Sequence, residues 1–339
     1  MKRRTLMLVA LLLAATPAAA ADSWPTAPMD PALDAPLMPV PAVAVPAGPL
    51  PATRSGHEIY ARFREGLADP VCAPDSSSPR WRKHFAAAPK RLGGGDDQAL
   101  ALFGYVVDAL REASLPTEYA LIPFVESRYR PDARSRLGPA GMWQFIRLTA
   151  RAHDVPMRAG YDGRLSPVDS TRAAVRYLKT LHGMFAGDWR LAVMAYNAGE
   201  YRVFGALRRA GQAARDADPE RLTSLSGITR AYVRKLHALS CLLDRADEDP
   251  AWMQSLDRQV PLLEAVELPA GVHDIAAWAQ AHGRDPAQVR RLNPAFVRGR
   301  VTRGGGAPRV LAQALRPADQ VAAAAAAGPD AAAQGTLAP

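Results

Sequence analysis

The chain has 339 residues, 48% hydrophobic and 22% charged, with a formal charge of +9. That length and balance exclude a wholly disordered chain and leave room for a sizeable core. Two cysteines are too few for a disulfide scaffold, and scattered histidines without HExxH or CxxC spacing predict no metal and no cofactor.

Residues 1–21 read as an export signal. Lys2, Arg3 and Arg4 form a positive start, Leu6 to Ala15 is apolar but short for a bilayer span, and Ala18-Ala19-Ala20 suits cleavage after Ala20 or Ala21. An uncleaved membrane anchor is the alternative. No Cys follows closely enough to carry a lipid. Residues 22–53, rich in Pro and Ala, read as an extended linker. Residues 54–112 read as a helical N-terminal extension, in which Asp96 or Asp97 caps a helix with Ala99, Phe103, Val106 and Leu110 on one face. Pro116 opens a helix continuing from Thr117 to Ser127, and Met142 to Ala152 reads as another. Ser166-Pro167 with Asp169 starts a helix whose stripe is Ala174, Tyr177, Leu178, Leu181 and Phe185. Asp188 caps Trp189 to Tyr196, Asn197-Ala198-Gly199 breaks that helix, and a last long helix runs from Thr229 to Leu243. Strand-like alternation is nearly absent, so 54–256 reads as all-α. Ile275 to His282, and Asp285-Pro286 to Leu292-Asn293-Pro294, then mark two short helices between Val-containing segments able to pair as strands. Residues 317–339 read as a disordered Ala-rich tail. Whether Cys72 and Cys241 pair is left open by their spacing.

Glu126 stands out by its setting. A Glu near a helix end is ordinarily a solvated charge. Here Leu121-Ile122-Pro123-Phe124-Val125 is apolar on every side, so the helix that delivers Glu126 is expected to be buried. Desolvation and the partial negative charge of a helix C-terminus both disfavour the carboxylate. Both leave a protonated acid near neutral pH, the state a general acid needs.

Glu126-Ser127, Pro131, Ser135 and Gly141-Met142-Trp143-Gln144 resemble, at this spacing, the first signature of the soluble-lytic-transglycosylase (SLT) family, which shares the goose-type lysozyme fold. Ala195-Tyr196-Asn197-Ala198-Gly199-Glu200 resembles its second motif and Thr229-Arg230-Ala231-Tyr232-Val233 its third. Asp162, Arg164 and Ser170-Thr171 match the connecting region. The resemblance implies an all-α lysozyme-like catalytic domain at 113–256, acting on peptidoglycan glycan strands in the periplasm with Glu126 as its single acid/base. It implies that Ser127 contacts substrate beside the acid and that Tyr232 brings a hydroxyl to the reacting sugar; a buried structural tyrosine is the rival. Gly141 lets backbone approach a sugar or serves a helix-start turn. Met142 and Trp143 form a sugar platform or, for Trp143, core. Gln144 bonds a sugar substituent or is an exposed amide. Tyr196 and Asn197 turn into a cleft, or Asn197 caps its helix. The subgroup it most resembles carries Glu at Ile228, Pro at Arg234 and Asp at Ser166, departures that bear on groove shape.

Glycoside hydrolysis commonly needs two carboxylates. Asp132, Asp162, Asp169, Asp188 and Glu200 are candidates for the second, each also readable as a turn, cap or surface residue. The resemblance implies that none is needed, because the MurNAc N-acetyl group and C6 hydroxyl take over. A lysozyme-like hydrolase and a non-catalytic wall-binding protein are the alternatives. The order after residue 261 resembles a LysM-type carbohydrate-binding module, in which Leu-Asn-Pro closes the second helix. Residues 262–316 thus read as a degenerate, small α+β LysM-like unit, blurred by Gly304-Gly305-Gly306 and by Ala312 to Leu315. In an exported protein the positive charge suits stem-peptide carboxylates and membrane lipids, not nucleic acid. A monomer is expected, and membrane association stays open.

Overall fold

The structure, a computed structural model, describes residues 50–72, 78–94, 97–304 and 306–316. The expected export signal, most of the linker and the Ala-rich tail lie outside those residues. Strands β1 (Leu50–Pro51) and β2 (Thr53–Ser55) lead into helices α1 (Gly56–Glu65), α2 (Pro79–Phe85), α3 (Ala88–Gly93) and α4 (Asp97–Glu112). Helices α5 (Ile122–Glu126) and α6 (Arg147–Ala152), the hairpin β3 (Met157–Arg158) and β4 (Tyr161–Asp162), and α7 (Pro167–Met184), α8 (Trp189–Ala198), α9 (Glu200–Ala210), α10 (Gly227–Asp244) and α11 (Pro250–Leu256) follow. The chain continues through β5 (Gln259–Pro261), β6 (Leu263–Glu267), α12 (Ile275–Ala281), α13 (Pro286–Leu292), β7 (Arg309–Gln313) and β8 (Leu315–Arg316).

The expected caps form. Ser166 Oγ accepts from the Asp169 amide at 3.1 Å and starts α7, and Asp188 accepts from Arg190 and Leu191 at the head of α8. At the end of α8, Gly199 takes a φ of 91°, which no other residue adopts cheaply, and turns the chain into α9. Helices α1, α4, α7, α8 and α10 meet over one core that includes Phe63, Phe103, Leu110, Leu178, Leu191 and Leu236. Each such buried side chain contributes about 1.5–3 kcal/mol. A disulfide joins Cys72, after α1, to Cys241 on α10 with a Cα–Cα distance of 5.4 Å.

Three expectations need correction. The linker ends earlier than residue 53. Leu50–Pro51 pairs antiparallel with Leu315–Arg316 and Thr53–Ser55 with Gln259–Pro261, and Ala52 between them is buried. The segment from Thr117 is not one α-helix: a 3-10 stretch, Thr117–Leu121, precedes the single turn of α5. Met142 to Ala152 is not one helix either. Gln144 takes a φ of 49°, Ala140 bridges to Phe145, and only Arg147–Ala152 is helical.

The C-terminal unit pairs β6 with β7 antiparallel, from Leu263↔Gln313 to Glu267↔Arg309, and places α12 and α13 between them in sequence. Its core holds Ile275, Trp278, Val289, Phe296 and Val310, together with Tyr161 and Leu165 from the helical half. Asn293 is buried and closes α13: its Nδ2 donates to the Val289 and Leu311 carbonyls at 2.7 and 2.8 Å, and its Oδ1 accepts from the Leu311 amide at 2.8 Å. Asp169 of α7 clamps the two halves, accepting from Tyr161 at 2.6 Å and from Arg309 of β7 at 3.1 Å.

Candidate active site

Glu126 is the last residue of α5, whose Ile122, Pro123 and Phe124 are buried. The next residues reverse the chain, with Arg128 and Tyr129 at φ of 57° and 59°. Two consecutive left-handed residues cost about 1–3 kcal/mol each and persist only where the surroundings hold them. Here Tyr129 donates through its amide to Pro123 O at 3.1 Å and through its hydroxyl to Ala120 O at 2.7 Å. Its ring packs edge-on against Phe124 at 4.8 Å and Phe103 at 5.9 Å. The backbone beneath Glu126 is thereby tied to the core.

The Tyr232 hydroxyl, from α10, donates to Glu126 Oε1 at 2.5 Å. Burial raises the Glu126 carboxyl above the usual carboxylate range, against the Tyr232 hydrogen bond and the Lys235 charge, which both pull it down. Because α5 is one turn long, its end adds little of the dipole field expected from the sequence. Burial, with Glu126 beside it, pushes the Tyr232 hydroxyl well up, so it stays a donor at neutral pH.

The loop before α6 is held by buried Arg164, which donates to Gly138 O at 2.8 Å and Phe145 O at 3.2 Å and pairs with Asp162 at 2.9 Å. This arrangement reassigns several expected contacts. Gly141 is glycine because it crosses Arg164: a Cβ there would sit 1.7 Å from the Arg164 carbonyl oxygen, at a φ of 79°. Close packing of backbone accounts for the glycine. Met142 is in the core, not on a sugar platform. Ser127 is buried, with its hydroxyl directed to Met142 O at 2.9 Å and Pro123 O at 3.2 Å, so it ties the acid's turn to the loop. Trp143 is nearly all core, its indole nitrogen donating to Thr171 at 3.0 Å, yet its edge reaches the cleft.

That cleft has a volume of about 400 Å³ and runs past Glu126, Gln144, Tyr196 and Asn197. Gln144 anchors its own turn through Nε2 to Gly141 O at 2.8 Å, and Tyr196 donates to Trp143 O at 2.8 Å. Asn197 is exposed on the cleft and does not cap α8; Gly199, donating to Ala195 O, does. Of the eight expected site residues, Glu126, Gln144, Tyr196 and Asn197 line the cleft, and Tyr232 reaches it through Glu126. Residues not singled out beforehand also line it: Phe145, Ile146, Thr149, Arg202 and Tyr177. Tyr177 sits on the apolar stripe of α7. Burial and Glu200 beside it push its hydroxyl up to about 12. No second carboxylate lines the cleft among the described residues. Asp162 and Asp188 pair with arginines, Asp169 clamps β7, Asp132 pairs with Arg130, and Glu200 faces Tyr177. Among the described residues no group of three or more His, Cys, Asp or Glu is set to hold a metal, and no helix is long and apolar enough to cross a membrane.

A half-buried acid hydrogen-bonded by a tyrosine, at the edge of a cleft in a helical domain, is a site fitted to general acid–base chemistry. Residues 107–219, which carry Glu126 and every residue lining the cleft, match the family model of the transglycosylase SLT domain. The chain is 33% identical over 233 residues to membrane-bound lytic murein transglycosylase D of Escherichia coli K12, covering 69% of this chain and 50% of that protein. It is 42% identical over 83 residues to peptidoglycan transglycosylase gp16 of Escherichia phage T7, covering 24% of this chain and 6% of that one. The chain thus spans about half the length, or less, of these curated relatives. The solved 70 kDa soluble lytic transglycosylase of Escherichia coli aligns with a TM-score of 0.36 at 19% identity, over 54% of this chain and 33% of that one.

Proposed function

We propose that the chain is a peptidoglycan lytic transglycosylase, cleaving the β-1,4 bond between MurNAc and GlcNAc without consuming water. The observation that carries this reading is Glu126, a half-buried acid raised above the carboxylate range and bonded by Tyr232, as the one carboxylate among the described residues lining the cleft. A two-carboxylate hydrolase lacks its partner group here. The names of the relatives point the same way.

In the proposed reaction protonated Glu126 gives its proton to the glycosidic oxygen as the C1–O bond breaks and GlcNAc leaves with its 4-hydroxyl. The MurNAc N-acetyl oxygen shares the positive charge at C1. Glu126, now a carboxylate stabilised by the Tyr232 hydroxyl, takes the proton of the MurNAc C6 hydroxyl. That oxygen attacks C1 and closes a 1,6-anhydro ring. Acid/base catalysis of this kind contributes about 10²–10⁴-fold, and holding the C6 hydroxyl near C1 adds a proximity gain. Gln144, Asn197 and Tyr196 serve as substrate-facing residues. Ser127, Gly141 and Met142 act behind them as the packed support of the acid's loop.

The same reading places the domain at 113–256 behind a helical extension at 54–112, in a periplasmic protein exported by residues 1–21. It treats 262–316 as a degenerate LysM-like unit that adds hold on the glycan, with the β6–α12–α13–β7 order and the Asn293 closure as support. Digestion in ¹⁸O-water tests the chemistry. Transglycosylation leaves the new MurNAc ends unlabelled, whereas one label per new end would mean hydrolysis and overturn the proposal.

A further inference from the structure

The face of α10 that carries Tyr232 carries a second polar group one turn on. Residues three apart on a helix are neighbours, so Lys235 stands beside Tyr232, whose hydroxyl holds Glu126 at 2.5 Å. Lys235 is half-buried, and its ammonium lies 4.8 Å over the Trp81 ring of α2, within the range at which the negative face of an indole attracts a cation. Its neighbour Arg234 is neutralised by Glu220 at 2.8 Å, whereas Lys235 has no salt-bridge partner among the described residues. Trp81 is itself braced: Arg80 lies 4.9 Å over the ring, and His84 packs edge-on at 5.5 Å. Helix α2 contributes no fully buried side chain, so core packing gives little reason for its place against α10. The disulfide from Cys72 ties the chain ahead of α2 to Cys241, six residues beyond Lys235 on α10.

We propose that Lys235, held in place by Trp81, is a positioning residue for the acid: its ammonium steadies the Glu126 carboxylate between the loss of one proton and the gain of the next. The inference rests on the functional reading above and adds to it a charge that does not touch the sugar. In that reaction Glu126 passes its proton to the glycosidic oxygen and stays a carboxylate until the C6 hydroxyl returns one. Lys235 remains an ammonium throughout and transfers no proton. The two residues on α10 thus divide the task. Tyr232 donates a hydrogen bond to the carboxylate, and Lys235 supplies the field of a full charge. Both oppose burial, which otherwise holds the proton too tightly for an acid that must release it. The other charged or titratable groups around the pair come from several elements. They are Tyr196 of α8, Arg202 of α9 at the cleft, Arg128 on the turn after Glu126, Arg80 and His84 of α2, Lys90 and Arg91 of α3, and His237 of α10. Glu118 of the 3-10 stretch is occupied by the amides of Ala68 and Asp69, and Glu220 by Arg234, so neither neutralises Lys235.

The test measures product release from purified peptidoglycan across pH 4–9 for the full chain and for Lys235→Met, Lys235→Arg, Trp81→Leu and the Lys235→Met/Trp81→Leu pair. Neither side chain lines the cleft or belongs to the core, so the variants are expected to fold. Without the ammonium Glu126 holds its proton more tightly, so the alkaline limb of the Lys235→Met profile moves to higher pH. On the plateau kcat should fall by up to about fivefold, the scale of a partly exposed charge contact, with KM unchanged. Lys235→Arg keeps the charge over the ring and should keep the parent's profile. Trp81→Leu should move the limb the same way by less, and the pair should behave as Lys235→Met alone, because the ring acts only through the ammonium. A merely structural role would lower the rate at every pH and leave the limb in place. That outcome, a limb moved to lower pH, or a Trp81→Leu effect that adds to that of Lys235→Met would overturn the proposal. Titration of the Glu126 carboxyl by ¹³C NMR in parent and Lys235→Met reads the same shift without substrate. If the shift appears but the products are hydrolytic, the functional reading fails and the hold of Lys235 on the acid stands. Anhydro products with no shift leave that reading intact and overturn this inference.

Discussion

Replacing Tyr232 by Phe removes one oxygen and leaves the ring in place. That oxygen donates the only protein hydrogen bond to Glu126 found among the described residues, at 2.5 Å, to a carboxyl that is otherwise desolvated. A hydrogen bond to a charged group is worth about 1.5–3 kcal/mol. In the proposed reaction Glu126 gains negative charge as its proton leaves, so the loss falls on the transition state, and kcat should drop about 10–100-fold. The pH profile carries a second signature. The Tyr232 hydroxyl favours the carboxylate, so its removal raises the Glu126 carboxyl further. Glu126 must be protonated to act, so activity on the alkaline side falls away at a higher pH in the variant than in the parent. Initial rates of soluble product release from purified peptidoglycan, measured across pH 4–9, read both effects. A variant with the parent's rate, or with an alkaline limb moved to lower pH, would refute this account of the pair.

The same linkage gives Glu126→Gln a stability effect of definite sign. The folded protein holds the Glu126 proton more tightly than the unfolded chain does. Its contribution is therefore fully present below the ordinary carboxylate pKa of about 4.3 and is lost as pH rises through the folded value. The Gln variant should then melt above the parent at pH 7 and level with it below pH 4, which thermal melts by circular dichroism resolve. Gly141→Ala forces a Cβ against the Arg164 carbonyl at a positive φ and should cost more than about 3 kcal/mol in chemical denaturation. Asn293→Ala strips three buried hydrogen bonds from between α13 and β7, leaves backbone groups unpaired, and should cost about 2–3 kcal/mol. Its effect should appear as faster amide exchange in β7, with the exchange of α7 and α8 unchanged.

Much of the helical half is legible along the chain because its signals are local. Ser166 and Asp188 cap α7 and α8 as their positions suggest, and the Ala174–Leu178–Leu181 stripe is buried as its period requires. Glu126 is legible for the same reason, since five apolar neighbours announce its burial. What the sequence hides depends on distant partners or on backbone that residue type does not announce. Gln144 gives no sign of a left-handed φ, so a helix from Met142 looks reasonable until Ala140 is seen to bridge Phe145. Gly141 suggests freedom for a ligand, but its constraint is Arg164, a residue 23 positions on whose own burial is equally unannounced. Ser127 and Met142 fall in a motif and so invite a role at the sugar, while their contacts are with each other. Leu50–Thr53 looks like the end of a linker because its strand partners, Gln259–Pro261 and Leu315–Arg316, lie more than 200 residues away. Tyr177 hides in an apolar stripe whose edge happens to reach the cleft.

Mass spectrometry of purified peptidoglycan digested by the protein and by its Glu126→Gln variant tests the central claim most directly. The account predicts fragments one water lighter than hydrolysis products, formed by the parent and reduced at least about 100-fold in the variant. Fragments at the fully hydrolysed mass, or anhydro fragments produced undiminished without the Glu126 carboxyl, would contradict it.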